Sequence, residues 1–202
     1  MDNLDFDPLT IRVNNITYSN YYKNSKNRER MVAWDVGGSQ LKNFMIVANH
    51  IKSGESILDY GCGLGDFIKY LDSIKIEVSK YLGVDINPDY IESAKKSYPT
   101  NEFKLIEKLN DINEPYDIVC AIGVFTWFIT KKDFINTIDY LHSIANKKLI
   151  LTCLHTENRI DINFIWNLKY RLYNQNFFER LFPDMDMDFE IYEKTMCVVF
   201  NK

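Results

Sequence analysis

The sequence is poor in the features that announce several special classes of protein. Its four cysteines, Cys62, Cys120, Cys153 and Cys197, stand 33 or more positions apart with no C-x-x-C pair. That spacing excludes a zinc site and a disulfide framework, so the expectation is four buried free thiols and no metal. With 8 glycines and 5 prolines and no internal repeat, it offers no low-complexity linker and reads as continuously folded. No run approaches the ~20 apolar residues of a membrane span, and the acidic start "MDNLDFDPLT" has no apolar signal region. These absences lead to the expectation of a cytoplasmic protein without membrane contact. Positive charge is also scarce. There are 24 Lys+Arg against 28 Asp+Glu, a net charge of −4, and basic residues cluster only in the short "KNSKNRER" near the N-terminus. Phosphate binding needs a concentrated positive face, which argues against a nucleic-acid substrate.

What is present begins with "SILDYGCGLGDF", Ser56 to Phe67, where three glycines occupy alternate positions behind a short apolar run. Ile57, Leu58 and Tyr60 predict a buried strand, and Phe67, Ile68 and Leu71 fall at the spacing of a helix face. The glycines therefore form a strand-to-helix turn whose free amides sit at a helix N-terminus, where negative or electron-rich ligands are favoured. Dinucleotides and S-adenosylmethionine both use such a turn. A dinucleotide fingerprint needs a glycine at position 66, which is Asp66 here. The chain instead reads Asp59-x-Gly61-x-Gly63-x-Gly65, with an acid inside the strand. A second strand, Tyr81 to Val84, ends in Asp85, about 20 positions on, where a ribose acceptor belongs. Pro88 then opens a helix carrying Ile91, Ala94 and Lys95.

Further strands are predicted over Glu102–Ile106, Tyr116–Ile122 and Lys147–Leu154, with helices over Gln40–Ile51 and Lys131–Ile144. Alternating strands and helices imply a parallel sheet covered on both faces, with ligands at the carboxyl ends of the strands. "FEIYEKTMCVVFN" predicts a terminal hairpin about Glu193-Lys194. The aromatic stretch 155–186, with Phe164, Trp166, Tyr170, Tyr173, Phe177 and Phe178, fits a core helix better than a substrate wall. By length the 202 residues make one domain with a substantial core: a cap over 1–52, a cofactor-binding core over 53–153, and a variable helix and hairpin over 154–202.

"ILDYGCGLGDF", "GVDINPDYIESA" and "YDIVCAIGVF", in this order and at these intervals, resemble the class I S-adenosylmethionine-dependent methyltransferases. The resemblance covers Ser53 to Cys153, and "WDVGGSQLKNF" with "AIGVF" is similar to a small branch of that class, from which Thr126 departs because asparagine is more typical there. It implies a seven-stranded, mostly parallel Rossmann-like sheet with an antiparallel last strand. It also implies S-adenosylmethionine held by Asp59, Gly61, Cys62, Gly63, Gly65, Asp85, Ile86 and Asn87, with Ile86 on an adenine face. Glu107, in competition with Asn110 and Asp111, lies near the adenine amino group. The backbone of Ala121, Ile122 and Gly123 faces the methionine part.

Methyl transfer needs alignment and exclusion of water more than a base. His155 is the best-placed candidate if a base is used. Tyr21, Tyr22, Trp34 and Phe125 are expected at the substrate or on a lid hinged at "DVGG", the alternative being a fixed N-terminal helix with Trp34 as a permanent anchor. No Asn-Pro-Pro-Tyr segment or Pro-Cys pair is present, which removes exocyclic-adenine and covalent cytosine chemistry. The expected activity is methyl transfer to an oxygen or nitrogen of a small molecule. Its rivals are a protein or RNA methyltransferase working with a partner, suggested by Tyr18, Tyr21 and Tyr22, and a non-catalytic cofactor-binding subunit. A nicotinamide oxidoreductase is disfavoured by Asp66.

Overall fold

Seven strands form one sheet in the order β3-β2-β1-β4-β5-β7-β6. A computed structural model describes residues 5–35, 38–126, 129–157 and 171–202. The strands are β1 (Ser56–Tyr60), β2 (Lys80–Asp85), β3 (Glu102–Leu105), β4 (Tyr116–Ile122), β5 (Ala145–Leu154), β6 (Met187–Tyr192) and β7 (Thr195–Asn201). The first five pair in parallel, and β7 runs antiparallel to both β5 and β6. Strand order reverses between β1 and β4, so the carboxyl ends of these two strands flank a crevice in which open α/β sheets bind ligands.

The helices are α1 (Pro8–Asn24), α2 (Arg28–Met31), α3 (Ser39–Ala48), α4 (Asp66–Ser73), α5 (Pro88–Ser97), α6 (Lys131–Ile144) and α7 (Gln175–Leu181). One face of the sheet is covered by α3, α4 and α5 through Phe44, Phe67, Ile91 and Ala94. The other is covered by α6 and α7. Here Phe134 stacks on Tyr173 at 5.7 Å and meets Phe177 edge-on at 5.6 Å. The described part of the aromatic stretch is thus core, as its pattern implied, whereas Phe164, Trp166 and Tyr170 lie outside the described residues.

Several boundaries differ from expectation, two of them with a local cause. The helix expected over Gln40–Ile51 forms over Ser39–Ala48, entered through left-handed Gly38 and unwound after Ala48 into a turn in which His50 and Ile51 donate to Val47 and Ala48. β5 begins at Ala145, two residues before the predicted Lys147, because the helix ends directly into the strand without a loop.

α1 carries no clear apolar stripe and is fixed by polar contacts at both of its ends. Thr10 Oγ1 donates to Asp133 at 2.6 Å at the start of α6, and Asn87 Nδ2 reaches Ser19 Oγ at 3.4 Å at the start of α5. Its 17 residues, about 25 Å of helix, thereby span from one helix N-terminus to the other at the carboxyl ends of the strands. Among the described residues, no helix is long and apolar enough to cross a membrane. Cys62, Cys120, Cys153 and Cys197 are buried free thiols.

Candidate cofactor and acceptor site

The glycine loop folds back over β2. Gly61 and Cys62 both donate their amides to the Val84 carbonyl, at 2.7 and 2.9 Å. Gly61 and Gly63 take φ of 74° and 55°, the left-handed region that side chains rarely adopt. Space is also closed at both. A Cβ on Gly61 would stand 2.5 Å from Val124, and one on Gly63 3.0 Å from Val32. The sequence suggests that a side chain at 63 would project into cofactor space. In the structure its first obstacle is the N-terminal cap.

Two carboxylates flank this loop. Asp85, at the end of β2, accepts from the Gly63 amide at 3.0 Å and the Asn87 amide at 2.9 Å. Burial pushes its pKa up to about 6, with these amides acting in the opposite direction. Asp59 is only 2% exposed. The Tyr81 hydroxyl donates to it at 2.6 Å, and Cys120 Sγ lies 3.9 Å away. Burial raises Asp59 to about 7, the hydrogen bond from Tyr81 lowers it, and the charge of Asp85 raises it further. No cation balances Asp59 among the described residues, so a bound cation would restore its ionised form.

Asp59 and Asp85 line a cavity of about 1440 Å³ together with Gly61, Cys62 and Gly63. Its walls continue through Ile86, Ile122, Gly123 and Phe125, and its roof includes Tyr21 and Trp34. Trp34 packs so closely on Gly123 that a Cβ there would stand 2.5 Å from the indole. The cap carrying Trp34 is pinned to the core. Arg28 Nε donates to Asp66 at 2.9 Å, Arg28 Nη2 to the Leu64 carbonyl at 3.0 Å, and Tyr98 Oη to Asp66 at 2.8 Å. Tyr90 Oη donates to the Met31 carbonyl at 2.6 Å.

Other expected site residues lie off the cavity lining. Gly65 caps α4 with its Cα against Phe103. Asn87 caps α5 by accepting from the Asp89 amide at 3.0 Å. Ala121 is fully buried in the sheet. Glu107 is exposed, while Asp111 accepts from its amide at 2.9 Å, and Asn110 is exposed too. Tyr22 is half-buried, edge-on to Tyr90 at 5.9 Å. Tyr18, expected to be exposed, is half-buried against the same ring at 6.0 Å and, unlike these, lines the cavity. His155 extends β5, its amide donating to the Lys194 carbonyl at 2.7 Å, and is not among the cavity-lining residues. Of the "DVGG" hinge, Val36 and Gly37 lie outside the described residues.

Sequence reasoning missed Tyr81, Val32 and Tyr90. Tyr81 sits directly beside Asp59 on the neighbouring strand, two residues out of pairing register, a signal present in the strand alignment. The others come from distant cap and helix contacts without a local pattern.

The sheet order, with Asp59 inside β1 and Asp85 at the end of β2 about a glycine turn, is that of the class I, Rossmann-like S-adenosylmethionine-dependent methyltransferases. Residues 51–188 match the model of a methyltransferase domain family, and the chain belongs to that family. Protein 235L of Invertebrate iridescent virus 6, named as a methyltransferase, is 26% identical over 154 residues, covering 75% of this chain and 57% of the viral one. Ribosomal protein L11 methyltransferase of Cupriavidus pinatubonensis is 34% identical over 76 residues, 36% of this chain and 24% of that one. This chain thus spans little over half of the first relative and about a quarter of the second. The crystal structure of magnesium protoporphyrin IX methyltransferase from Synechocystis PCC 6803, with bound S-adenosylhomocysteine, shares the fold at a TM-score of 0.67 and 14% identity, covering 96% of this chain and 99% of that one.

Proposed function

We propose that this chain transfers a methyl group from S-adenosylmethionine to an oxygen or nitrogen of a small molecule bound in the cavity. The observation that carries the reading is that one cavity, roofed by Tyr21 and Trp34, contains both Asp59 and Asp85 and still extends beyond them. Asp59, uncompensated and buried, fits the ammonium of the cofactor. Asp85 fits ribose hydroxyls, because each of its oxygens accepts one amide and retains acceptor capacity. Ile86 offers an apolar face to the adenine, and Gly61 and Gly123 line the same cavity where the methionine part would lie.

When bound, the cofactor would supply a methyl carbon on a cationic sulfur, open to displacement by an acceptor lone pair, and Asp59, Asp85 and the glycine loop would hold it. The residues of this chain act by placement. Trp34 and Val124 narrow the space at the carboxyl end of β4, and the cap excludes water from it. No histidine lines the cavity among the described residues, so no imidazole base is assigned to the acceptor. The buried Cys62 thiol, pushed up by burial, is not a nucleophile at neutral pH. The absence of a concentrated basic face and the roofed site both favour a small acceptor over a polymer.

The test is incubation with methyl-labelled S-adenosylmethionine and fractionated cell extract. Label is expected in the low-molecular-weight fraction. Label confined to protein or RNA would replace the small acceptor with a macromolecular one.

A further inference from the structure

At one mouth of the cavity an apolar surface continues outward. Met45, on the outer side of α3, is 51% exposed, and Ile191 and Tyr192 at the end of β6 are 51% and 45% exposed. Exposed apolar side chains are ordinarily scattered singly. They stand where α3 meets the hairpin: Lys42 Nζ pairs with Glu193 at 3.1 Å, and His50 Nε2, just past the end of α3, lies 3.2 Å from Glu190. Met45, Ile191 and Tyr192 also line the same cavity as Asp59 and Asp85. At about 1440 Å³, that cavity exceeds the ~300–1,000 Å³ usual for one small ligand.

We propose that the methyl acceptor is an elongated molecule with an apolar tail, whose reactive end lies by Gly123 and Trp34 and whose tail leaves the cavity along Met45, Ile191 and Tyr192. The inference rests on the methyltransferase reading of the site. The patch is the outward extension of the cavity wall, and its neighbouring charges, Lys42 and Glu193, neutralise each other. A tail leaving there desolvates the apolar surface of Met45, Ile191 and Tyr192.

The test uses straight-chain alkanols of six to twelve carbons as uncharged probes, titrated into protein saturated with S-adenosylhomocysteine. Each added methylene should tighten binding roughly three- to four-fold, the equivalent of ~0.8 kcal/mol. Met45→Asp and Ile191→Asp, at exposed positions that folding tolerates, should weaken dodecanol at least ten-fold while hexanol and S-adenosylhomocysteine bind as before. Affinity that does not grow with chain length, or equal losses for both alkanols, overturns the proposal. So does loss of polymer methylation in these variants with alkanol binding intact, which would assign the patch to a macromolecule. If S-adenosylhomocysteine fails to bind while the alkanol series behaves as described, the groove stands and the cofactor reading falls.

Discussion

Replacing Asp59 by asparagine removes one charge and almost no volume. The amide can still accept from the Tyr81 hydroxyl, now 2.6 Å from the carboxylate, so the variant should fold. What it loses is a charge-assisted bond to the cofactor's ammonium. Hydrogen bonds to charged groups contribute about 1.5–3 kcal/mol, so S-adenosylhomocysteine should bind roughly 10- to 150-fold more weakly. The wild-type protein carries a second signature. Asp59 is raised to about 7, and only its ionised form pairs with the ammonium. Affinity should therefore fall as pH drops below about 7, approaching ten-fold per unit, with Asp85 adding to the loss near pH 6.

The empty protein behaves in the opposite sense. A carboxyl whose folded pKa lies above its unfolded value of 3.8 binds protons more tightly in the native state, so stability rises as pH falls from about 7 toward 4 and is lower above 7. The shift of about three units amounts to something on the order of 4 kcal/mol at pH 8, which Asp59→Asn removes. The variant should melt higher than wild type at pH 8 without ligand, yet gain less from ligand. Calorimetry between pH 6.5 and 8.5, with thermal melts of both proteins, reads all of this. Unchanged affinity in Asp59→Asn, or a flat wild-type pH profile, would refute the role given to Asp59.

Asp85→Ala should weaken S-adenosylhomocysteine by at least ten-fold, since it removes the proposed ribose acceptor and the carboxylate that holds the Gly63 amide; unchanged affinity in a folded variant sinks that assignment. Gly123→Ala places a methyl 2.5 Å from Trp34 at a φ of 72°, so methyl transfer should drop more than thermal stability, and turnover at the wild-type rate would show that the Trp34 contact is dispensable. Arg28→Ala releases the cap from Asp66 and Leu64 and should speed proteolysis of the first 40 residues, with bound S-adenosylhomocysteine slowing it. Cleavage indifferent to the ligand would mark the cap as fixed. Phe134→Ala hollows the centre of the aromatic cluster and should cost about 3–5 kcal/mol, read by denaturant unfolding; a loss below 1 kcal/mol would contradict the packing described.

The sheet was legible because its strands are buried on both faces and so appear as short unbroken apolar runs, such as Ile118 to Ile122, between glycine and asparagine turns. Asp59 and Asp85 were legible for a related reason: a carboxylate at the end of such a run is expensive without a task. α1 was not, because it is held by Asp133, Asn87 and Tyr90, which are 68 or more residues away in the chain, and not by an apolar stripe of its own. The same holds for Val32 over Gly63 and Trp34 over Gly123, contacts that no local pattern encodes. Asp66, which spoke against a dinucleotide fingerprint, proved to be the anchor for Arg28 and Tyr98. In each case the local element was readable and its distant partner was not.

The central claim is that the crevice between β1 and β4 holds S-adenosylmethionine. Calorimetric titration of the purified chain at pH 8 with S-adenosylhomocysteine and, separately, with NAD tests it most directly. The account predicts one site per chain with micromolar-range affinity for S-adenosylhomocysteine and no heat from NAD. Binding of NAD, or silence with both ligands in a folded protein, would contradict it.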